Sequence, residues 1–540
     1  MKAVEHYEVP HLALWKSCVA EVLAKHAAAG SQMAAAAGSD SEHGLIKAAD
    51  SYAKAMEQNA PIPAPSPDSD DDLAVQTYLS YLHHQKAHAR ISDDAALEAQ
   101  LTQQIQEYKF GNPLWQQMLE QYYTYYWQYP YHLGQHPHYR SWKVAGNGEL
   151  GFGVIEWQLP ANAKVVIVGD IGTGTDVAAA VLVAALRSRP DAILHLGDVY
   201  FSGTDFETQH RLLQLLEEAF TSENIRVPFF TVPGNHEYFT GGKAYLQALD
   251  SGRLVVSENQ KQAASYFCLR SADNGWQFLG MDTGYHGHYM NVSKQASEAT
   301  RERLHLGEVQ LPPATADPHW PRDHNPYFRS ERDFPQQDPT QNEPVVLRPD
   351  ELAWQQHKLA GFSGRSVLLS HHQLYSALDA CGLPQGQTQD AQGKQQPTPS
   401  DFNREWVNTG LWRQLGPYFD KVAAWLWGHE HNLGIFQNAY RPADWPTEHV
   451  EVETVFKTLP LGRCAGHSAI PVQLSENPYQ QNYPVALEQP DLKLGVTEDW
   501  YNHGFQLLEL AGAGQPARLS YYQIAGADPT PLLLFEEQVV

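Results

Sequence analysis

Short apolar runs alternate with helical stretches from about residue 148 onward, and this alternation constrains the fold more than any other feature. The run "VVIVGD" precedes the helical stretch "DVAAAVLVAALRS", and "AILHLGD" is a second run of the same type. Apolar runs of this length are typical of buried strands, and alternation of strands with helices is typical of α/β domains. The pattern therefore predicts an α/β fold, which ends in a strand hairpin within "GFQLLELAGAGQPARLSYYQIAG".

Most of these apolar runs end in side chains that bind metals. Asp170 and Asp198 end the first two runs, and residues 235–237 (Asn-His-Glu) end the third. Two later runs end at residues 371–372 (His-His) and 429–431 (His-Glu-His). The ligand site of an open α/β sheet lies beyond the carboxyl ends of its strands, so we expect these side chains to converge. Carboxylate and amide oxygens together with imidazole nitrogens suit iron, zinc or manganese.

The glycines of "VVIVGDIGTG" raise a nucleotide-binding alternative. A dinucleotide fingerprint needs G-x-G-x-x-G and an acidic residue about 20 residues later, and a P-loop needs G-x-x-x-x-G-K-[ST]. The glycines here are spaced three and two apart, and no lysine follows them. We therefore interpret Asp170, and not the glycines, as the functional residue of this stretch, and we predict that it is a metal ligand. Gly172 and Gly174 are expected to allow a sharp turn and to leave room beside the metals.

The polar strand ends form an ordered set that resembles the calcineurin-like metallophosphoesterase superfamily, from Gly169 to His431. The motifs are, in the family's order, GDIG, GDVY, GNHE, LLSHH and GHEH. The D-x-G form of the first motif is closer to the purple acid phosphatase branch than to the bacterial nuclease branch. The resemblance implies a four-layer α/β/β/α sandwich, and it does not extend to the N-terminal region.

The resemblance also implies a role for each matching residue. The implied ligands are Asp170, Asp198 and His431 for one metal ion, and Asp198, Asn235, His371 and His429 for the other. His236 resembles the family's general acid, which protonates the leaving oxygen or holds the phosphate. Asp198, as the bridging carboxylate, is the second implied catalytic residue, and Glu237 is implied to support the ligands.

The implied activity is metal-dependent hydrolysis of phosphate esters at two divalent or trivalent ions (Fe, Mn or Zn), with a metal-bound hydroxide as nucleophile. Phosphomonoesterase, phosphodiesterase and phosphoprotein phosphatase activities stay open, because they differ in pocket loops. A rival from another class is a non-catalytic phosphoesterase-like scaffold. Such scaffolds usually lose metal ligands, whereas the ligand motifs are retained here.

One position departs from the purple acid phosphatase pattern. That branch carries GDxxY, whose tyrosine binds ferric iron three residues after the bridging aspartate. Here Tyr200 lies two residues after Asp198, and Phe201 occupies the third place. Either the turn is one residue shorter and Tyr200 still reaches the metal, or the first site lacks a phenolate and holds manganese, zinc or ferrous iron with water.

Several other polar residues follow predicted strands. They are Asp282, His286, His288, His372, Arg463 and His467. We expect a structural or surface role for each of them, because histidine-rich loops are common in this chain.

The N-terminal part differs in composition from the rest. Residues 1–75 are rich in Ala, Ser, Pro and Asp and are predicted to be poorly ordered around a short helix near residues 11–28. Residues 76–147 are predicted to form an accessory helical region, because apolar side chains recur at helical spacing. The predicted catalytic domain is 148–540, with loop insertions near 296–343, 381–403 and 465–500.

Charge and composition narrow the classes of partner. The formal net charge of −25 argues against a nucleic-acid backbone as partner, because phosphate binding uses Lys/Arg surfaces. The four cysteines form no CxxC pair, so neither a disulfide framework nor a cysteine–zinc site is expected. We expect a cytoplasmic protein with no membrane partner, since no signal peptide and no long apolar run is seen. The expected partner is a phosphate-ester substrate, and the N-terminal helical region is a candidate surface for a protein partner.

Overall fold

The computed structural model describes most of the chain from residue 156 onward and selected parts before it. The long described segments are residues 10–28, 71–91, 94–108, 156–287, 345–378, 406–440, 457–479 and 485–540. The short ones are residues 51–52, 55, 60–67, 69, 121, 139–142, 381, 387–389, 395–397 and 481.

The strands are numbered in chain order. They are β1 (Glu156–Leu159), β2 (Lys164–Val168), β3 (Ala192–His195), β4 (Phe229–Thr231), β5 (Phe267–Ser271), β6 (Trp276–Met281), β7 (Arg365–Ser370), β8 (Gln387–Gln389), β9 (Gln395–Pro397), β10 (Val422–Trp427), β11 (Leu433–Ile435), β12 (Gly462–Ala465), β13 (Val496–Thr497), β14 (Trp500–Tyr501), β15 (His503–Glu509), β16 (Ala517–Ile524) and β17 (Leu532–Val539).

The helices are numbered in the same way. They are α1 (Pro10–Ala28), α2 (Asp72–Ile91), α3 (Ala95–Glu107), α4 (Asp176–Arg187), α5 (Asp205–Glu207), α6 (Gln214–Glu223), α7 (Asn235–Tyr238), α8 (Lys243–Asp250), α9 (Gly284–Gly287), α10 (Pro349–Gly361) and α11 (Thr409–Leu415). A π-helical segment, Thr208–Leu213, joins α5 to α6, and 3-10 turns occupy Glu258–Gln260, Gly416–Lys421 and Leu474–Glu476.

Two mixed sheets form the centre of the fold. The first has the strand order β17-β16-β15-β2-β3-β4, in which the neighbours β2–β3 and β3–β4 pair in parallel and the other neighbours pair antiparallel. The second has the order β1-β5-β6-β7-β10-β12-β11, with β6, β7, β10 and β12 parallel. The hairpin predicted near the C-terminus is the antiparallel pair β15 and β16.

Side-chain alternation along the strands explains why the sheets are covered on both faces. In β2, Val165 and Ile167 pack in the core that the two sheets share, whereas Val166 and Val168 pack against α4, α6 and α8. Successive residues of a strand point to opposite faces, so a run of buried valines and isoleucines serves two layers at once. Burying each such side chain contributes about 1.5–3 kcal/mol.

The second sheet is covered by α10 and α11. The Gln355 side chain of α10 donates to the Gly280 carbonyl of β6 at 2.9 Å, and Trp354 and Trp412 of the two helices are buried in the same core. The layers are therefore helix, sheet, sheet and helix. This confirms the predicted α/β/β/α class.

The N-terminal helices form a core of their own. Leu14, Trp15 and Cys18 of α1 pack with Leu79 and Leu82 of α2. The predicted helical N-terminal region is therefore present. Within the described residues, no helix combines the length and apolarity that crossing a membrane requires.

The predicted domain limits and insertions stay predictions. The insertion at 296–343 lies outside the described residues, and that at 381–403 is described only at Cys381 and in the two-stranded ribbon of β8 and β9. Residues 465–500 are described except for 480 and 482–484, and they include the ribbon of β13 and β14.

Candidate metal centre

The predicted ligands follow strands of both sheets. Asp170, Asp198 and Asn235 follow β2, β3 and β4 of the first sheet, whereas His371 and the pair His429 and His431 follow β7 and β10 of the second. The two sheets present the carboxyl ends of these strands to the same place, because they pack face to face.

Two contacts join the sheets at this point. The His371 ring Nδ1 lies 2.9 Å from the Leu196 carbonyl oxygen, which follows β3. The backbone N–H of His429 donates to the Asp170 carboxylate at 3.1 Å. The strand ends of the two sheets are therefore tied to each other by the candidate ligands themselves.

The first group of candidate ligands surrounds the Tyr200 hydroxyl. This oxygen lies 2.9 Å from Asp170 Oδ1, 2.8 Å from Asp198 Oδ2 and 2.9 Å from His431 Nε2. Tyr200 and both aspartates are fully buried, and the His431 side chain is 14% exposed. Tyr200 therefore reaches the cluster although its spacing from Asp198 is one residue shorter than in GDxxY.

The second group surrounds His371 Nε2. This nitrogen lies 3.0 Å from Asn235 Oδ1, 3.1 Å from His429 Nδ1 and 3.3 Å from Asp198 Oδ2. Asp198 belongs to both groups, because its Oδ2 atom also contacts Tyr200. The contacts thus divide the candidate ligands into two sets that share one carboxylate.

His236 and Glu237 lie beside this cluster in α7. His236 Nδ1 lies 2.5 Å from the Phe201 carbonyl oxygen, and its Nε2 lies 3.9 Å from Asp198 Oδ2. Because a carbonyl can only accept, Nδ1 carries the proton and Nε2 is the atom that faces Asp198. The Glu237 carboxylate accepts the backbone N–H of Asp198 at 3.2 Å and that of Gly234 at 2.8 Å, so it fixes the loop that carries Asp198.

The electrostatics of the cluster reflect ionisable groups packed together in the interior. Burial, with a contribution from the charge of Asp198, raises the pKa of Asp170 to about 8. Burial would also raise the pKa of Asp198, but His371 and then His236 hold it well below its usual range. Burial would lower the pKa of His371, but Asp198 raises it to about 9. Burial and the two aspartates raise the pKa of Tyr200 well above its usual value.

Three candidate ligands have backbones in the left-handed region. The φ angles are 59° for Asp170, 76° for Asp198 and 68° for His429. Non-glycine residues seldom adopt this conformation, and it costs of the order of 1–3 kcal/mol where the surroundings enforce it. Such strain concentrates at functional sites, and here it turns each side chain from its strand end into the cluster.

The glycines of the motifs are required by close packing. A Cβ on Gly172 would lie 2.5 Å from the Asp198 carbonyl oxygen, and a Cβ on Gly234 would lie 1.9 Å from Asp198 Oδ1. Gly172 forms an isolated parallel bridge with Val199, and of the two glycines Gly174 is the one with a positive φ, +68°. Gly172 is needed because two backbone segments touch there.

His372 lies closer to the cluster than the sequence indicated. Its ring centroid lies 4.6 Å from that of His429, and its backbone N–H donates to Thr283 Oγ1 at 3.0 Å. His371, His372 and His429 place nitrogen atoms within 4.8 Å of one another. In the sequence, this contact was signalled by the pair of adjacent histidines after β7. The direction of the His372 side chain could not be predicted, because β7 ends at Ser370 and side-chain alternation applies only within a strand.

The remaining polar residues that follow predicted strands have no contact with the candidate ligands among those given for the described residues. Some belong to hydrogen-bond networks that hold the fold together, and others lie outside the described part of the chain. Arg463 forms a two-bonded pair with Glu537 at 2.8 and 2.6 Å, and this pair joins β12 to β17. Asp282 accepts from the Tyr238 hydroxyl at 2.6 Å. His467 is buried beyond β12, the side chain of His286 is not described, and His288 lies outside the described residues.

The chemistry of the donors fits metal cations. Histidine binds a metal as the neutral ring. In that form His371 Nδ1 donates to the Leu196 carbonyl, and Nε2 directs a lone pair toward Asn235 Oδ1 and Asp198 Oδ2. With both carboxylates ionised, as metal binding requires, the single proton of the Tyr200 hydroxyl cannot serve both the Asp170 and Asp198 oxygens. Buried lone pairs that face one another repel, and a cation held between them removes that repulsion.

The comparisons with known proteins agree with this donor set. The family model for calcineurin-like phosphoesterases matches residues 163–433. The chain belongs to the calcineurin-like phosphoesterase family. The family is metal-dependent, and the matched residues include all the candidate ligands. Helices α1 to α3 and strands β15 to β17 lie outside the match.

No curated protein matches the chain. Among solved structures, this chain is similar to GAP50, the anchor in the inner membrane complex of Plasmodium, with 11% sequence identity and a TM-score of 0.34. The similarity covers 70% of this chain and 89% of that chain.

Proposed function

We propose that this chain hydrolyses phosphate esters with the help of two metal ions. The observation that carries the proposal is the division of the candidate ligands into two contacting sets that share Asp198. A carboxylate shared by two sets is suited to holding two ions about 3.5–4 Å apart. We propose residues 148–540 as the catalytic unit.

The two sets name the residues that would hold each ion. The proposed ligands are Asp170, Asp198, Tyr200 and His431 for the first, and Asp198, Asn235, His371 and His429 for the second. When bound, the cations would neutralise phosphate oxygens and make a water molecule at the site more acidic.

The protein's own contribution is proton transfer and positioning. His236 keeps its Nδ1 proton on the Phe201 carbonyl, which orients Nε2 toward Asp198 and the cluster. A proton held on Nε2 could be given to the departing alkoxide of the substrate. Glu237 holds the backbone of Asp198 and so keeps the shared carboxylate in place. His236 is therefore the proposed general acid.

Metal analysis and hydrolysis assays together test the proposed function. We expect about two ions per chain in protein purified without chelator, and metal-dependent hydrolysis of p-nitrophenyl phosphate or of its bis ester. Preference for the first substrate assigns a phosphomonoesterase, and preference for the second assigns a phosphodiesterase. Protein that can be loaded with two ions but hydrolyses neither ester, nor a phosphopeptide, would contradict the enzymatic proposal and support a scaffold.

The position of Tyr200 favours the purple acid phosphatase branch within the family. We expect iron-loaded protein to absorb visible light, because a phenolate bound to ferric iron does so, and the Tyr200→Phe variant to lose this absorption while keeping its iron. The control Tyr522→Phe removes a hydroxyl from β16, outside the cluster, and should leave the spectrum unchanged. Absorption that persists in Tyr200→Phe would show that Tyr200 is not a ligand.

A further inference from the structure

A small apolar cluster joins the N-terminal helix α1 to the turn that carries Tyr200. Ala13 of α1 is fully buried in this cluster, as is Tyr200. The remaining members are Tyr52, Phe201, Phe239 and Ile470. The N-terminal region, which the family match does not cover, therefore shares a buried apolar cluster with a candidate metal ligand.

The turn is held on its other side by charged groups. The buried Glu207 carboxylate accepts the backbone N–H of Phe201 at 2.6 Å and that of Ser202 at 3.0 Å. Arg211 donates to the Tyr200 carbonyl at 2.6 Å and lies 4.5 Å from the centre of the Phe201 ring. Lys16 of α1 places its ammonium 5.7 Å from the same ring. The turn is thus enclosed between α1 and the start of the α5–α6 segment.

This turn supplies two groups to the centre. The Tyr200 hydroxyl contacts Asp170, Asp198 and His431, and the Phe201 carbonyl accepts from the His236 ring. A displacement of the turn would therefore move a ligand and the partner of the general acid together.

We propose that α1 positions the Tyr200–Phe201 turn and is thereby a working part of the metal centre, not a separate module. This inference rests on the proposed metal site. Residues that hold a metal ligand in position without touching the metal typically contribute 10- to 100-fold to metal affinity. Coupling between two equilibria is also reciprocal, so bound metal stabilises the docked position of α1 to the extent that docked α1 tightens metal binding.

The test uses Ala13→Leu in the full chain, with Ala24→Leu as the matched control. Ala13 is fully buried in the apolar cluster, and a larger side chain there should push α1 from the turn, whereas Ala24 is exposed on the same helix. Titration calorimetry with Mn²⁺ should show about 10- to 100-fold weaker binding for Ala13→Leu and wild-type affinity for Ala24→Leu.

Hydrogen exchange of the unsubstituted protein provides a second measurement that does not depend on a variant's folding. Mn²⁺ should slow amide exchange in residues 10–28 of the wild type, and this protection should shrink in Tyr200→Phe, in which the link between the turn and the metal is cut. Thermal unfolding of each variant shows whether the rest of the fold is kept.

The outcomes separate this inference from the proposed function. Wild-type protein that binds none of Mn²⁺, Zn²⁺ and iron would overturn both. Wild-type binding with unchanged affinity in folded Ala13→Leu, or with no Mn²⁺-dependent protection of α1, would overturn the positioning role of α1 alone.

Discussion

Replacing Asp198 by asparagine is expected to remove both metal ions and nearly all hydrolysis. Asp198 is the carboxylate shared by the two ligand sets, through contacts of 2.8 Å to Tyr200 and 3.3 Å to His371. An amide keeps the shape and the acceptor for the His236 backbone N–H but lacks the charge. The loss of activity should exceed the roughly 10- to 100-fold that follows removal of an outer hydrogen-bond partner, because a ligand to both ions is lost.

Metal content and turnover of p-nitrophenyl phosphate measure this effect. The matched control is Asp205→Asn, since Asp205 is exposed and lies seven residues away. The control should keep its metals and its activity. Full metal content together with full hydrolysis in Asp198→Asn would show that this carboxylate is not the bridge.

Replacing His236 by asparagine is expected to lower turnover without removing the metals. The asparagine amide can still donate to the Phe201 carbonyl, as Nδ1 does in the wild type at 2.5 Å, but the variant has no counterpart of Nε2. Loss of a general acid typically costs about 10²- to 10⁴-fold in rate. The cost should be large for an alkyl phosphate, whose leaving oxygen needs a proton, and much smaller for p-nitrophenyl phosphate, whose leaving group departs as an anion.

The comparison of the two substrates separates two roles of His236. An equal loss on both esters would indicate that His236 holds the phosphate and does not protonate the leaving group. His210→Asn, at an exposed histidine of the π-helical segment, is the control and should behave as wild type on both substrates.

Much of the candidate site could be predicted because each ligand follows an apolar run. The runs before Asp170 and Asp198 are buried strands on both faces, so the first polar side chain after each strand marks its carboxyl end. The same pattern before His371 and His429 placed these residues at the ends of β7 and β10. Periodicity is a local property, and local spacing suffices to locate a strand end.

The role of Tyr200 could not be predicted from spacing. A departure of one residue from GDxxY left two alternatives open, because the path of the turn after Asp198 depends on groups distant in sequence. Glu207 and Arg211 hold that turn through its backbone, and Ala13 of α1, almost 200 residues away in sequence, belongs to the same apolar cluster. The phenol reaches the cluster because of these contacts.

The sequence by itself determined the α/β class, the strand ends and the donor types of the candidate centre, because these follow from apolar runs and from the residue that ends each run. Only the tertiary structure decided that the donors come from two sheets, that they divide into two sets around Asp198, and that α1 lies behind Tyr200. Hydrophobic burial brings sheets and helices together without regard to their separation along the chain, so these relations leave no local pattern.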